Sequence, residues 1–219
     1  LYKEMNSNEL IDLVELPINV GLPNALNSSF DFVKSDWIAR FDADDIMVSD
    51  RLETQVNFIK CNDVDVLGGQ IREFDENGNY FVRHVPTEIG AIRRKLPWRN
   101  PLNHVTVMYK TNLIQEFAYR DIAGYEDYDL WMRLLNEPNV KIENISNILV
   151  EVRAGSEMYT RRVGFNYALR ELQFRFLTSK YSSNLIIHWT AGVLRFLISM
   201  LPKKAKSLVY LSILRKRAN

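Results

Sequence analysis

Three carboxylates, Asp42, Asp44 and Asp45, stand within four positions at the end of an apolar run over 37–41. The run predicts a buried strand, and ligands of open α/β sheets bind beyond the carboxyl ends of strands. Carboxylates crowded there repel one another unless a cation lies among them. A hard divalent ion held by carboxylates and completed by phosphate oxygens is the usual arrangement. The spacing therefore indicates a metal site, although an Asp-rich turn followed by a helix N-cap would explain the same residues.

A second acidic group, Glu126, Asp127 and Asp129, opens a helix predicted over 126–136. Acidic residues in a first turn stabilise a helix through its dipole, which explains part of this pattern without any chemistry. The cluster exceeds that requirement, and a carboxyl group whose pKa is raised by its neighbours is a better base near neutral pH. These residues are therefore candidates for proton transfer.

Strands that alternate with helices position both groups. Short apolar runs predict strands over 11–16, 37–41, 64–67 (closed by Gly68 and Gly69), 70–74, 80–85, 105–109 and 148–153. The turn residues of 75–79 predict a hairpin between two of these strands. Helices are predicted after the Gly/Pro/Asn loop of 19–27, after Asp50 with Leu52, Val56 and Ile59 on one face, after Thr87, and over 126–136. The alternation predicts an α/β fold with a largely parallel sheet covered by helices.

The last part of the chain differs in charge and pattern. No carboxylate follows Glu171, whereas nine Lys and Arg residues do, which leaves 19 basic against 27 acidic residues before them, a net charge of −8. From about residue 157 the pattern is helical, with Ala168, Leu172 and Phe176 on one face. Residues 184–201 are apolar almost all round, but Arg195 makes a membrane-spanning helix costly.

We therefore expect an interfacial helix, or a pair of helices hinged at Pro202, that binds an anionic membrane surface. A helix packed on the protein's own core is the alternative. The basic residues are confined to the tail, which excludes the footprint of a nucleic-acid-binding domain. The boundaries expected are a catalytic domain over 1–155 and a helical, membrane-associated segment over 156–219.

The chain has 219 residues, an ordinary globular composition and one cysteine, Cys61, so an intrachain disulfide is excluded and a reducing compartment is indicated. The first ten residues are too polar for a signal peptide. We expect a cytoplasmic protein that is peripheral to the inner membrane.

Several motifs in order resemble family 2 glycosyltransferases, the inverting GT-A enzymes of bacterial polysaccharide assembly. The motifs are Asn19-Val20-Gly21-Leu22-Pro23-Asn24-Ala25-Leu26-Asn27, Asp42-Ala43-Asp44-Asp45, Asp50-Arg51-Leu52, Asn103-His104-Val105-Thr106-Val107-Met108 and Gly124-Tyr125-Glu126-Asp127-Tyr128-Asp129-Leu130-Trp131. The resemblance covers about Leu10 to Arg153. It is closest to the branch that builds O-antigens, capsules and exopolysaccharides.

The resemblance implies a nucleotide-diphosphate sugar as donor and Mn²⁺ or Mg²⁺ as cofactor. It implies that Asp44 contacts the metal, that Asp45 is a second ligand, and that Asp42 holds the ribose or a metal-bound water. Gly21 and Asn27 would lie beside the nucleotide.

On the acceptor side, the resemblance implies Asp127 as catalytic base, with Glu126 close behind. His104, Tyr125 and Trp131 would contact the substrate, which we expect to be a saccharide, in particular a lipid-linked one. A structural, hydrogen-bonded role explains His104 equally well.

The family begins with a strand and an acidic donor-binding segment before the 11–16 strand, and this chain starts after them. We therefore expect an incomplete chain with weak donor binding. The alternatives are a non-catalytic membrane-associated remnant and a sugar nucleotidyltransferase, although the latter requires a Gly-rich, basic triphosphate loop that the sequence lacks. A haloacid-dehalogenase-type phosphatase would need Thr or Val where Ile46 stands.

Overall fold

A seven-stranded mixed sheet organises the residues that the computed structural model describes, which are 12–74, 78–122, 124–153, 164–201 and 216–217. The strands are β1 (Trp37–Ala39), β2 (Ile46–Met47), β3 (Val66–Phe74), β4 (Tyr80–Arg83), β5 (Met108–Lys110), β6 (Ile142–Arg153) and β7 (Lys216–Arg217). The α-helices are α1 (Leu22–Ser29), α2 (Arg51–Cys61), α3 (Ile89–Lys95), α4 (Thr111–Phe117), α5 (Glu126–Leu134), α6 (Phe165–Thr178) and α7 (Leu185–Met200). Short 3₁₀ turns cover Phe30–Phe32, His104–Thr106 and Ser179–Tyr181.

The long strand β3 lies at the centre of the sheet. It runs parallel to β6 on one side, and on the other side it runs antiparallel to β5 at its start and to β4 at its end. β1 extends the sheet beyond β5, and β2 pairs with β6. The predicted α/β architecture with helical cover is confirmed, and so is the hairpin, in which Phe74 lies opposite Tyr80.

The prediction that the sheet is largely parallel is wrong for the described strands, because β3 with β6 is their one parallel pair. Short connections such as the β3–β4 turn return the chain at once and produce antiparallel neighbours. A parallel pair needs a long crossover. The crossover between β3 and β6 is long enough to contain α3, α4 and α5.

Gly68 and Gly69 were predicted to end a strand. Instead, they lie inside β3. A Cβ atom on Gly68 would lie 2.2 Å from Asn144 Oδ1, and one on Gly69 would lie 2.5 Å from Leu149 Cδ1. Glycine is therefore needed here because side chains of β6 approach the backbone of β3 closely.

Two other strand predictions are corrected. Residues 12–16 form no strand and pair with no described strand. Leu13 and Leu16 are exposed, so an apolar run alone was not enough to form a strand here. Ile11 lies outside the described residues. The predicted strand over 105–109 begins as a 3₁₀ turn, because the N–H and the hydroxyl of Thr106 both donate to the carbonyl of Asn103.

The strand predicted over 37–41 is also shorter and less buried than expected. β1 ends at Ala39, which is exposed, and it has β5 as its one neighbour among the described strands. Two helix starts were placed correctly to within one residue. Asp50 stands at the N-cap of α2 without a capping hydrogen bond from its side chain, and Glu88 rather than Thr87 precedes α3.

Helix α2 buries a face one residue step, about 100°, from the predicted one, and of the three predicted residues Ile59 is half-buried against the core. Leu52 is 46% exposed and Val56 is 36% exposed, whereas Arg51 and Gln55 are fully buried. The amide of Gln55 donates to the carbonyls of Leu67 and Thr106, at 3.1 and 2.9 Å. A polar side chain can be buried at little cost when its hydrogen bonds are satisfied, and hydrophobic periodicity does not detect this.

The C-terminal helices α6 and α7 pack against each other and against α5. Phe174 of α6 stacks on Tyr125 with ring centroids 4.6 Å apart. Phe176 was predicted to share one face of α6 with Ala168 and Leu172, but it is 71% exposed. The buried face of α6 contains the ion pair of Glu171 with Arg175 instead.

Helix α7 matches the prediction over 184–201, and the side chain of Asn184 caps it by accepting the N–H of Ile187. One face packs on α6 through His188, Ala191, Gly192 and Ser199, while the opposite, apolar face is open. The packing on α6 agrees with the alternative of a helix packed on the protein's own core, and membrane contact of the open face stays a prediction. No helix in the described part of the chain is long and apolar enough to cross a bilayer. The predicted hinge at Pro202 lies outside the described residues.

Candidate functional site

The three carboxylates of the predicted site, with Asp44 and Asp45 as predicted metal ligands and Asp42 at the ribose or a metal-bound water, lie together in the loop between β1 and β2. Asp42, Asp44 and Asp45 each offer a carboxylate oxygen, and these oxygens all lie within 4.8 Å of one another. Asp42 and Asp45 are half-buried and Asp44 is exposed. The strand ends at Ala39, so the chain is free to turn and bring all three carboxylates to one side.

The electrostatics of this cluster are unfavourable in the absence of a cation. Burial, and then the negative charges of Asp42 and Asp44, raise the pKa of Asp45 from 3.8 to about 6. A hydrogen bond from the backbone of Arg153 and the positive charge of Arg40 oppose the increase. A divalent cation would remove the repulsion, and the three oxygen donors suit a hard ion.

Arg40 was not predicted as a site residue. It is 6% exposed, and its two terminal nitrogens pair with the two oxygens of Asp42, each at 2.6 Å. The available signal was a charged residue inside an apolar run, which is costly unless the charge is paired.

Arg51 holds the backbone beneath this loop. It is fully buried, and it donates to the carbonyl of Arg40 at 2.8 Å and to Gln55 Oε1 at 3.0 Å. Burial and the nearby charge of Arg40 lower the pKa of Arg51 to about 10. This contact explains why the motif Asp50-Arg51-Leu52 follows the acidic loop.

The predicted catalytic pair lies at the start of α5. Asp127 accepts hydrogen bonds from Asn100 Nδ2 at 2.6 Å and from the backbone N–H of Tyr128 at 2.7 Å. Burial, and then the charge of Asp127, raise the pKa of Glu126, and backbone hydrogen bonds oppose the increase. Asp129, the third acid of the cluster, points away from the pair. It is fully buried and binds Arg120 and Arg133.

His104 lies next to two aromatic rings. Its Nε2 is 2.7 Å from the hydroxyl of Tyr119, and its ring meets Trp131 edge-on at 6.1 Å. Burial, and then the charge of Arg40, lower the pKa of His104 well below 6.5, so the imidazole is neutral at physiological pH. A neutral imidazole can accept or donate a hydrogen bond but carries no charge.

Two residues predicted to lie beside the nucleotide have structural roles. The amide of Asn27 exchanges two hydrogen bonds with the backbone of Tyr119, both at 2.8 Å. Asn27 thereby fixes the residue whose hydroxyl contacts His104. Gly21 precedes α1 with φ of +79°, a conformation that favours glycine, and it donates its N–H to Asn19.

Tyr125 and Trp131, which were predicted to contact the substrate, lie in the core. Trp131 is fully buried, and Tyr125 is 4% exposed and donates its hydroxyl to Glu171 at 2.8 Å. Helical spacing points both side chains inward from α5, towards the sheet and α6. Neither side chain is available to a sugar in this structure, and the prediction is corrected.

Arg40 connects the two acidic groups. Its charge opposes the increase in the pKa of Asp45 and of Glu126, and it contributes to the lowered pKa of His104. Both acidic groups therefore experience the charge of one buried guanidinium, although more than eighty positions separate them in the sequence.

The mixed sheet, the acidic loop beyond β1 and the acidic pair at the start of α5 form the arrangement expected of a glycosyltransferase that uses a nucleotide sugar. The family model described as "Glycosyl transferase family 2" matches residues 2–127. The chain belongs to this family, and the predicted family resemblance is confirmed.

Three similar proteins from bacteria are named as glycosyltransferases. The chain is 38% identical to an uncharacterized glycosyltransferase of Haemophilus influenzae over 94% of this chain and 78% of that protein. It is 31% identical to the amylovoran biosynthesis glycosyltransferase AmsE of Erwinia amylovora, over 92% of this chain and 77% of that protein. It is 30% identical to the UDP-Gal:alpha-D-GlcNAc-diphosphoundecaprenol beta-1,3-galactosyltransferase of Escherichia coli, over 90% and 73%.

Solved structures share the fold at low sequence identity. S. aureus TarS 1–349 in complex with UDP-GlcNAc superposes with a TM-score of 0.58 at 14% identity, over 97% of this chain and 59% of that chain. The mannosyltransferase PcManGT from Pyrobaculum calidifontis, in complex with GDP-Man and Mn2+, gives 0.51 at 12% identity, over 97% and 66%. These similarities confirm the GT-A architecture.

Proposed function

We propose that this family 2 glycosyltransferase is a metal-dependent, inverting enzyme. It moves a sugar from a nucleoside-diphosphate sugar to a lipid-linked saccharide during assembly of a bacterial surface polysaccharide. The observation that carries the proposal is the cluster of Asp42, Asp44 and Asp45 beside Arg40, with the pair of Glu126 and Asp127 within reach of the same charge. The names of the AmsE and galactosyltransferase relatives support the substrate class. Family membership favours sugar transfer over nucleotidyl transfer.

The metal proposal assigns Mn²⁺ or Mg²⁺ to Asp44 and Asp45, with Asp42 at the ribose or at a metal-bound water. Burial, and then the charges of Asp42 and Asp44, raise the pKa of Asp45, and a divalent cation would stabilise the ionised carboxylates in this environment. When bound, the ion would act as a Lewis acid on the leaving diphosphate. Arg40 holds Asp42 in place through two hydrogen bonds.

The base proposal assigns proton removal from the acceptor hydroxyl to Asp127, with Glu126 as the second candidate. A single displacement needs one base and no protein nucleophile. Asn100 and the N–H of Tyr128 orient the carboxylate of Asp127, which supports its priority. His104 would line the acceptor side as a neutral hydrogen-bonding group, held by Tyr119.

The membrane proposal assigns α7 and the basic residues after it to the surface of the inner membrane. The open face of α7 is apolar, with Ile186 80% exposed and Leu197 56% exposed. No carboxylate follows Glu171 to repel an anionic leaflet, and several nearby basic residues together give salt-sensitive attachment. Attachment there would bring the site to a lipid-linked acceptor.

The deciding experiment assays the full chain with UDP-galactose, UDP-N-acetylglucosamine and GDP-mannose as donors and N-acetylglucosaminyl-diphosphoundecaprenol as acceptor. Asp44→Asn and Asp127→Asn should each lower turnover about a thousandfold, because each removes a group that acts in the transition state. Chelation should abolish transfer by the parent, and Asp31→Asn, an exposed change outside the site, should have no effect. Undiminished transfer by Asp44→Asn contradicts the metal role, and a product that retains the donor's anomeric configuration contradicts the inverting mechanism.

A further inference from the structure

A short contact to the proposed base comes from a residue to which the family resemblance gives no role. Asn100 donates from Nδ2 to Asp127 Oδ2 at 2.6 Å, which is short for a hydrogen bond from a neutral amide. The other carboxylate oxygen, Oδ1, accepts the backbone N–H of Tyr128 at 2.7 Å. Both oxygens are engaged by donors that lie in fixed positions, so the plane of the carboxylate is defined.

The amide of Asn100 cannot be flipped without loss. Its Oδ1 accepts the backbone N–H of Leu102 at 3.2 Å, so the nitrogen must point to Asp127. The reverse orientation would set an amide oxygen against a carboxylate oxygen and an NH₂ group against an N–H. The Nδ2 donor of Asn100 therefore faces the Asp127 carboxylate.

The loop that carries Asn100 is held at three consecutive carbonyl groups. Each accepts a hydrogen bond from a side chain of another element: Leu96 from Tyr128, Pro97 from Arg175 at 2.6 Å, and Trp98 from Arg195 at 3.4 Å. Such fixation of a loop backbone by side chains restricts the position of the residue that follows it.

A buried carboxylate organises two of these donors. Glu171, 1% exposed, pairs with Arg175 Nε at 2.8 Å and with Arg195 Nε at 3.2 Å. It also accepts the hydroxyl of Tyr125, the residue before Glu126. The network therefore links α6 and α7 to both sides of the acidic pair, through the loop of Asn100 and through the N-cap of α5.

We propose that Asn100 is a positioning residue that holds the Asp127 carboxylate in the orientation from which it removes the acceptor proton. The inference rests on the proposed role of Asp127 as base. The charge of Asp127 acts on Glu126 beside it and on Tyr119, and Arg40 also acts on both of these groups. A hydrogen-bond donor to a carboxylate favours its ionised form, which is the form that can accept a proton.

The test uses two variants of the full chain. Asn100→Asp has the same shape and can still accept the N–H of Leu102, but it sets a second carboxylate against Asp127, so the two must share a proton. Asn100→Leu removes the donor without adding charge. Asn112→Asp, at an exposed position in the first turn of α4, is the control for the charge change.

Two readouts separate positioning from general damage. With UDP-galactose and N-acetylglucosaminyl-diphosphoundecaprenol, kcat should fall about tenfold to a hundredfold while the donor KM stays within about twofold. The acidic limb of the pH–rate profile should move up by about one to two pH units in Asn100→Asp. The protonation midpoint of the Asp127 carboxyl, followed by ¹³C NMR and assigned with Asp127→Asn, should move in the same direction in both Asn100 variants and stay fixed in Asn112→Asp.

The outcomes also separate this inference from the proposed function. Transfer that survives Asp127→Asn refutes the base assignment and with it the role of Asn100. Loss of transfer in Asp127→Asn, with unchanged profiles and midpoints in both Asn100 variants, refutes the positioning role alone. The NMR midpoint decides the matter even with donors and acceptors that turn over slowly, since an unchanged midpoint in a folded Asn100→Asp protein overturns the inference.

Discussion

Asp45→Asn should stabilise the metal-free protein at neutral pH, although it removes a proposed metal ligand. The pKa of Asp45 is raised from 3.8 to about 6, chiefly by burial and then by Asp42 and Asp44. About two pKa units correspond to roughly 3 kcal/mol of destabilisation of the ionised folded state, since each unit is about 1.4 kcal/mol. Asp45 is only half-buried, so solvent screening reduces the expected gain to about 1 kcal/mol. Asparagine keeps an oxygen that can accept the N–H of Arg153.

The pH dependence follows from the direction of the shift. When the pKa of a carboxyl group is raised in the folded state, its ionised form destabilises the folded protein. This destabilisation is full above the folded-state pKa, near 6, and disappears as the pH falls towards the unfolded value of 3.8. The advantage of Asp45→Asn should therefore be full at about pH 7.5 and absent below about pH 4.

Thermal unfolding in the presence of a chelator measures the effect. We expect the melting temperature of Asp45→Asn to rise by about 2–4 °C at pH 7.5, the shift that about 1 kcal/mol produces in a protein of this size. Added Mn²⁺ should reverse the order, because only the parent gains the full binding free energy, about 2.7 kcal/mol at a hundredfold excess over Kd. Asp31→Asn is the matched control. An unchanged or lower melting temperature for Asp45→Asn at pH 7.5 without metal would refute the repulsion on which the metal site is argued.

Two further predictions concern the C-terminal helices. Glu171→Ala should lower the free energy of unfolding, measured in urea, by about 3–5 kcal/mol, because it leaves the fully buried Arg175 without its carboxylate. The control Glu116→Ala, at an exposed position, should change the free energy of unfolding by under about 0.5 kcal/mol. Equal effects of the two changes would contradict the buried network. Replacing Val193 and Leu197 with Ser should weaken sedimentation with phosphatidylcholine–phosphatidylglycerol vesicles, because both lie on the open face of α7. The matched change of Leu52 and Val56 on α2 should leave it intact, and binding that is insensitive to the α7 change would rule out that face as the membrane contact.

The sequence alone determined what depends on local chemistry. The acids of 42–45 and of 126–129 were recognisable because they are more crowded than a turn, an N-cap or a helix dipole requires, and the structure confirms that the former cluster. The β3–β4 hairpin followed from its turn residues, and α7 followed from the apolar pattern of 184–201, which is interrupted at His188 and Arg195. In each case neighbouring residues supply the free energy that selects the conformation.

Only the tertiary structure decided which polar groups are buried and which side chains meet. Gln55 is buried because it reaches the carbonyl of Thr106, 51 positions away, and Asn100 meets Asp127 across 27 positions. The family resemblance implied that Trp131 contacts the substrate, yet the fold places its side chain in the core. The burial of a polar side chain is favourable only when a distant partner satisfies it, and hydrophobic periodicity carries no information about that partner.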